Sequence, residues 1–245
     1  MTTTTAPARP RGPVLRAAAR MARLHLRLFA WFWVVVVTAV VLGVVVLWRV
    51  DGEVGTAVSL YARQGVVWFP FSLAVLVVAA QLRVHVAAGR TRRTFVRASL
   101  AVAVGAGVAY AVVLQLLVLA ERAVHDAAGW GWRIADPMLA DESSPAGVLL
   151  AELVVFLVAA QVSGLLVGVV YQRAPGWWGT LALPLTVGPL LGVAALLDGT
   201  GGDAHVARTW SAAAAPLLGG VALVFVMAVA YAAVTRTVEI RQRTT

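Results

Sequence analysis

Six runs of apolar residues, at 28–48, 65–86, 98–120, 147–171, 178–197 and 211–234, alternate with short polar or charged segments. A helix needs about 20 residues to cross roughly 30 Å of hydrocarbon, and each run is near that length. The pattern predicts an all-α, polytopic membrane protein with six transmembrane helices. Trp31, Trp33, Trp48, Trp68, Trp177, Trp178 and Trp210 fall at or near the run ends, where an amphipathic ring suits the headgroup layer. Ahead of the first run, Arg16, Arg20, Arg23 and Arg27 recur at i, i+4, i+7 and i+11 on one helical face, with Leu15, Ala19, Ala22 and Leu26 on another. That spacing predicts an N-terminal amphipathic helix over 14–27, lying on an anionic membrane surface with membrane lipid as its partner. The plainer reading of the same arginines is a positively charged topology signal. The chain thus divides into a disordered cytoplasmic tail over 1–13, an interfacial helix over 14–27 and a six-helix transmembrane domain over 28–245.

Charge fixes an expected orientation. The net charge of +9 over 245 residues would suggest nucleic acid in a soluble protein. Here its position along the chain favours the positive-inside bias instead, and no nucleic-acid partner is expected. Arg9, Arg11, Arg16, Arg20, Arg23, Arg27, Arg83, Arg90, Arg92, Arg93, Arg97, Arg173, Arg236, Arg241 and Arg243 fall on segments that share one side of a six-span chain. Only Arg49, Arg63, Arg122, Arg133 and Arg208 fall on the other, together with Asp51, Glu53, Glu121, Asp126, Asp136, Asp141, Glu142, Asp198 and Asp203. The expectation is a multi-pass protein of the inner membrane with both termini cytoplasmic. The first run follows a charged preface too long for a cleaved signal peptide and is expected to stay as an anchor.

Several runs carry small or polar residues at four-residue spacing, which lets helices approach closely in lipid. These are Ser99, Ala103, Gly107, Ala111 and Gln115; Ala160, Gly164 and Gly168; and Pro184, Gly188 and Gly192. They can face another span or a second copy of the chain. Kinks are expected at Pro70 and Pro184. Polar groups within spans are costly and mark either interhelical hydrogen bonds or a substrate path, so Gln115, Gln161 and Glu152 are the candidate path residues. Glu152 sits roughly 7 Å inside its span and can snorkel, pair with an Arg or relay protons.

Much chemistry is ruled out by composition. All 20 basic residues are Arg, so the chain has neither a P-loop lysine nor a Schiff-base lysine, and with no Cys it has no thiolate nucleophile or Cys-ligated metal. His25, His85, His125 and His205 contain no i, i+4 pair of the kind that binds metal on a helix. Ser143 and Ser144 lack a strand–turn–helix setting, and the 199–202 glycine stretch reads as a turn. The chain is expected to be no enzyme and to carry no cofactor.

One polar segment stands out: Gly89, Arg90, Thr91, Arg92, Arg93, Thr94 and Phe95, between the second and third runs. Gly89 can end one helix in a left-handed cap, and Thr91 can N-cap the next. A Gly followed by Ser or Thr, two basic residues and a nearby aromatic after the second span resembles the permease subunits of six-span, type-2 ABC exporters. Gly89, Thr91, Arg92, Arg93 and Phe95 carry the match, and the six-span architecture agrees with it along the chain. The resemblance implies that this link is a coupling turn docking a separate ATP-binding subunit. It also implies that two permease chains, as a homodimer or heterodimer, pair around the transport path. The short final outer segment, 199–210, departs from members with re-entrant helices there. The alternative is a non-transporting membrane protein, for assembly, immunity or sensing, that binds a partner through the same turn.

Overall fold

The computed structural model describes residues 12–134, 139–174, 176–198 and 209–238. Arg9, Arg11, Asp136, the 199–202 turn, Asp203, His205, Arg208, Arg241 and Arg243 lie outside them. The described residues form eight helices and no strand: α1 (Pro13–Asp51), α2 (Val58–Tyr61), α3 (Arg63–Ala87), α4 (Arg92–Ala128), α5 (Ala146–Arg173), α6 (Trp177–Leu181), α7 (Leu183–Leu196) and α8 (Trp210–Thr237). With α2 joined to α3 and α6 joined to α7, six helical stretches are long and apolar enough to cross a membrane.

The elements follow local sequence with three differences. First, α1 runs without a break through residues 14–27 into the first crossing. Between Pro13 at its start and Gly43 no Pro or Gly interrupts it, so propensity carries the helix through. Second, α4 continues past residue 120 to Ala128, because Glu121 and His125, one turn apart, both face inward and are buried. Third, the fifth crossing is broken at Ala182, two residues before Pro184, which occupies the first turn of α7, a position where its missing N–H is no loss. At Pro70 α3 continues.

The fifth helix is the hub. It packs against α3, α4, α7 and α8, and 78% of its most apolar window is buried, against 17% for α1 and for α8. Small residues make this possible. A Cβ on Gly107 would lie 2.8 Å from the Val158 Cα, which brings α4 onto α5. One on Gly168 would lie 2.9 Å from the Val75 carbonyl oxygen, and one on Gly164 would overlap the Phe71 carbonyl, which brings α3 onto another face of α5. The stripes through Gly107 and through Gly164 and Gly168 therefore pack within one chain. Of the third stripe, Gly192 touches Leu223 of α8, whereas Gly188 faces open space.

Sparse polar contacts fix the register. Ser99 Oγ and Tyr231 Oη lie 2.8 Å apart between α4 and α8, and Ser163 Oγ donates to the Thr186 carbonyl across α5 and α7 at 2.8 Å. Trp33 is no boundary marker. It is 6% exposed, in an aromatic cluster with Phe29, Phe32 and Tyr110, because α1 meets α4 at mid-height.

Candidate functional site

The two ends of the bundle differ in charge. At the arginine-rich end, α3 closes in a Schellman motif: Gly89 at φ 71° donates to the Val86 carbonyl, and Arg90 N–H donates to that of His85. A side chain would strain at that φ, so glycine is needed there. Two residues later the Thr91 hydroxyl accepts from Thr94 N–H at 3.2 Å and starts α4. The reversal is thus capped on both sides.

Its side chains divide into two sets. Phe95 is 0% exposed, wedged in the core with its ring edge-on to His85 at 5.3 Å. The Arg92 guanidinium reaches across to the last turn of α8 and donates to the Arg236 carbonyl at 2.6 Å. Both residues brace the turn against its own bundle. Gly89, Thr91 and Arg93 face outward, with Arg97 exposed one turn beyond Arg93, while Arg90 is half-buried. Arg83 Nε donates to Gln172 Oε1 at 2.9 Å, and Arg173 donates to the Thr237 hydroxyl, so with Arg92 the arginines tie together the ends of α3, α4, α5 and α8.

The opposite end is held by carboxylates. Glu121 accepts the Val58 and Ser59 N–H groups at 2.6 and 2.8 Å, pinning the start of α2 to α4. Glu142 accepts from Ile134 N–H at 2.7 Å. Glu152 is 2% exposed and accepts the N–H groups of Leu139 and Ala140 at 3.3 and 3.1 Å. It neither snorkels nor stands free in a channel. Instead it forms the back wall of a cleft of about 300 Å³ shared with Arg63, Phe156 and Asp198, the Arg63 guanidinium lying 5.9 Å from the Phe156 ring centre.

The structure does not bring the three candidate path residues together. Gln115 borders a void of about 30 Å³ beside Arg122, Trp132 and Glu142, away from the Glu152 cleft. Gln161 is buried within α5, and neither glutamine lines that cleft. The Gln115 amide and the Gln161 Nε2 find no hydrogen-bond partner among the described residues. Arg63 and Asp198 carried no sequence signal for the cleft, since they meet Glu152 from different helices, and the carbonyl that Arg92 seizes is equally invisible in sequence. Among the described residues no group of three His, Cys, Asp or Glu is placed to hold a metal. No family model matches this chain, and neither does any curated protein or solved structure.

Proposed function

We propose that this chain is the membrane-spanning permease subunit of a type-2 ABC exporter, with the arginine-rich end and both termini on the cytoplasmic side of the inner membrane. A separate ATP-binding subunit hydrolyses ATP and docks on the α3–α4 turn. A second permease chain completes the transport path, which runs between the copies because α5 fills the centre of each.

The observation that carries this reading is the turn itself. It is capped on both flanks, wedged by Phe95 and tied to α8 by Arg92, so a force applied to its outward residues reaches three helices as one unit. Docking falls to Gly89, Thr91 and Arg93, with Arg90 at the edge, while Arg92 and Phe95 act from behind. Exposed charge pairs are each worth about 1 kcal/mol or less, so a single substitution changes little, whereas charge reversal replaces attraction with repulsion. Arg93→Glu with Arg97→Glu is expected to abolish recovery of the ATPase in a pull-down while membrane insertion, followed by thiol labelling, is retained. A correctly inserted double variant that keeps its ATPase refutes the reading.

The filled centre of the single bundle also suits a membrane protein that recruits a partner without transporting. Recovery through the same turn of a partner devoid of ATPase activity selects that alternative.

A further inference from the structure

An open groove of about 410 Å³ runs between the first half of α1 and α4. Its walls are mostly apolar, with Ala19, Ala22 and Leu26 from α1 and Ala101, Gly105 and Ala109 from α4, and His25 adds a polar ring on the α1 side. It begins beside Leu15 and ends on the aromatic pair Phe29 and Tyr110, whose ring centres are 4.7 Å apart. Leu15 to Phe29 is about 21 Å of helix, and the α4 wall about 13 Å, which brackets the ~15 Å depth of one leaflet.

The groove lies beside charge that no carboxylate among the described residues neutralises. Leu15, Ala19, Ala22 and Leu26, all lining it, are each followed by an arginine, so Arg16, Arg20, Arg23 and Arg27 stand about 100° further round the helix, and all four are exposed. Their depth is set by contacts. Ala17 and Met21 border a pocket with His85, Ala88 and Arg90 at the arginine-rich end, whereas Phe29 already meets Tyr110, roughly 27 Å along α4 from Arg92. Arg23 and Arg27 therefore lie at hydrocarbon depth, where an uncompensated guanidinium is costly and must snorkel or find an anion. Every carboxylate among the described residues lies at or toward the other end of the bundle. No anion among the described residues compensates Arg23 and Arg27, and an anionic partner beyond those residues suits them.

We infer that the α1–α4 groove binds one anionic phospholipid, its acyl chain lying along Gly105 as far as Phe29 and Tyr110 and its phosphate drawn onto Arg23 and Arg27. A helix is the rival occupant, since small residues favour close helix approach. Charge favours the lipid, since among the described residues a second copy offers no carboxylate at the arginine-rich end, whereas an anionic phospholipid brings an acyl chain and an anion together. The inference is independent of the exporter reading, because it needs neither an ATPase nor transport.

Native mass spectrometry of the full-length protein, titrated with phosphatidylglycerol or phosphatidylcholine in mild detergent, tests it. The unmodified chain is expected to retain one phosphatidylglycerol about tenfold or more in preference to phosphatidylcholine, each arginine near the surface contributing about fivefold. Arg23→Gln with Arg27→Gln is expected to remove that preference. Gly105→Leu fills the groove, since a Cβ there meets nothing within 4 Å, and Ala101→Leu does the same from an exposed position. Either variant, shown by circular dichroism to keep its helix content, is expected to lose lipid retention several-fold. Equal retention of the two lipids by the unmodified chain overturns the inference. Undiminished retention in both folded leucine variants overturns it as well, as does a shift from dimer to monomer in place of lipid loss, which would identify a second copy as the occupant.

Discussion

Replacing Gly164 or Gly168 by alanine adds one methyl at the closest approach of α3 to α5. At Gly168 that methyl would sit 2.9 Å from both the Val75 carbonyl oxygen and the Val78 Cβ, and at Gly164 the overlap with the Phe71 carbonyl is closer still. Ordinary contacts begin some half an ångström farther out, and a backbone carbonyl inside a helix cannot rotate aside. The two helices must separate along their whole contact, which forfeits dispersion along both. Overpacking of this kind costs about 1–3 kcal/mol, and a rigid backbone partner puts these sites toward the upper end. Helix propensity returns up to about 1 kcal/mol of this, and at roughly 2–4 °C per kcal/mol for a chain of this size Gly164→Ala is expected to lower the melting temperature by about 2–8 °C. Gly188 supplies the control, because a Cβ there meets nothing within 4 Å. Alanine at that site gains helix propensity of up to about 1 kcal/mol and leaves the chain as stable as before or more so. Intrinsic tryptophan fluorescence combined with size exclusion after heating, on protein in detergent, ranks the variants. The loss should not depend on protein concentration, since the contact lies within one chain. If Gly164→Ala melts at or above Gly188→Ala, the α3–α5 seam is looser than described and the reasoning fails.

Glu152→Ala leaves the Leu139 and Ala140 N–H groups without their acceptor, at about 1–3 kcal/mol each, so hydrogen exchange at those amides should accelerate, with Glu152→Gln intermediate. Unchanged exchange would show that the carboxylate does not hold the 139–140 segment. Phe95→Ala empties a fully buried ring site at the base of the turn and is expected to cost about 3–5 kcal/mol, read as a lower melting temperature, with Phe95→Leu milder. Single cysteines at Ala88 and Ser143, both exposed and at opposite ends of the bundle in a chain with no other Cys, should differ in labelling by an impermeant thiol reagent in intact cells, with only Ser143→Cys labelled. Labelling of both, or of Ala88→Cys alone, refutes the expected orientation.

What could be read in sequence was what depends on short windows. The six crossings, the Gly89 reversal and the Thr91 cap each rest on residues within a few positions of one another, and hydropathy or cap chemistry reports them directly. Stripes of small residues announced close packing but not its partner, because Gly164 reads alike whether Phe71 or a second chain faces it. Trp33 misled for the related reason that a tryptophan near the end of an apolar run suggests a headgroup boundary, whereas α4 crosses there and buries it. The continuity of α1 was hidden by its change from charged to apolar composition, which alters the environment of the helix without giving it a reason to stop. The Glu152 cleft was the least legible feature. Its members come from α3, α5 and the end of α7, and the N–H donors that engage the carboxylate belong to a loop whose course no periodicity records.

The two ends of the bundle obey one electrostatic rule. A chain that segregates arginine to one end and carboxylate to the other has, at each end, an excess of one charge and an equal supply of helix N-termini and C-termini. Guanidinium groups are complementary to C-terminal carbonyls, and Arg92 accordingly finds the last turn of α8. Carboxylates are complementary to N-terminal amides, and Glu121 finds the first turn of α2, at the other end. Exchanging the charges would leave each with helix ends of the wrong polarity, since Arg92 faces a carbonyl and Glu121 faces two N–H groups. The segregation that sets the expected orientation thus also selects which helix ends are tied down. Of the N-termini it cannot serve at the arginine-rich end, the starts of α1 and α4 rely on Pro13 and on the Thr91 cap, while α6 starts after Gly176 with no side-chain cap. The exposed arginines of α1 have no such complementary terminus among the described residues, and an external anion is the partner the same rule assigns to them.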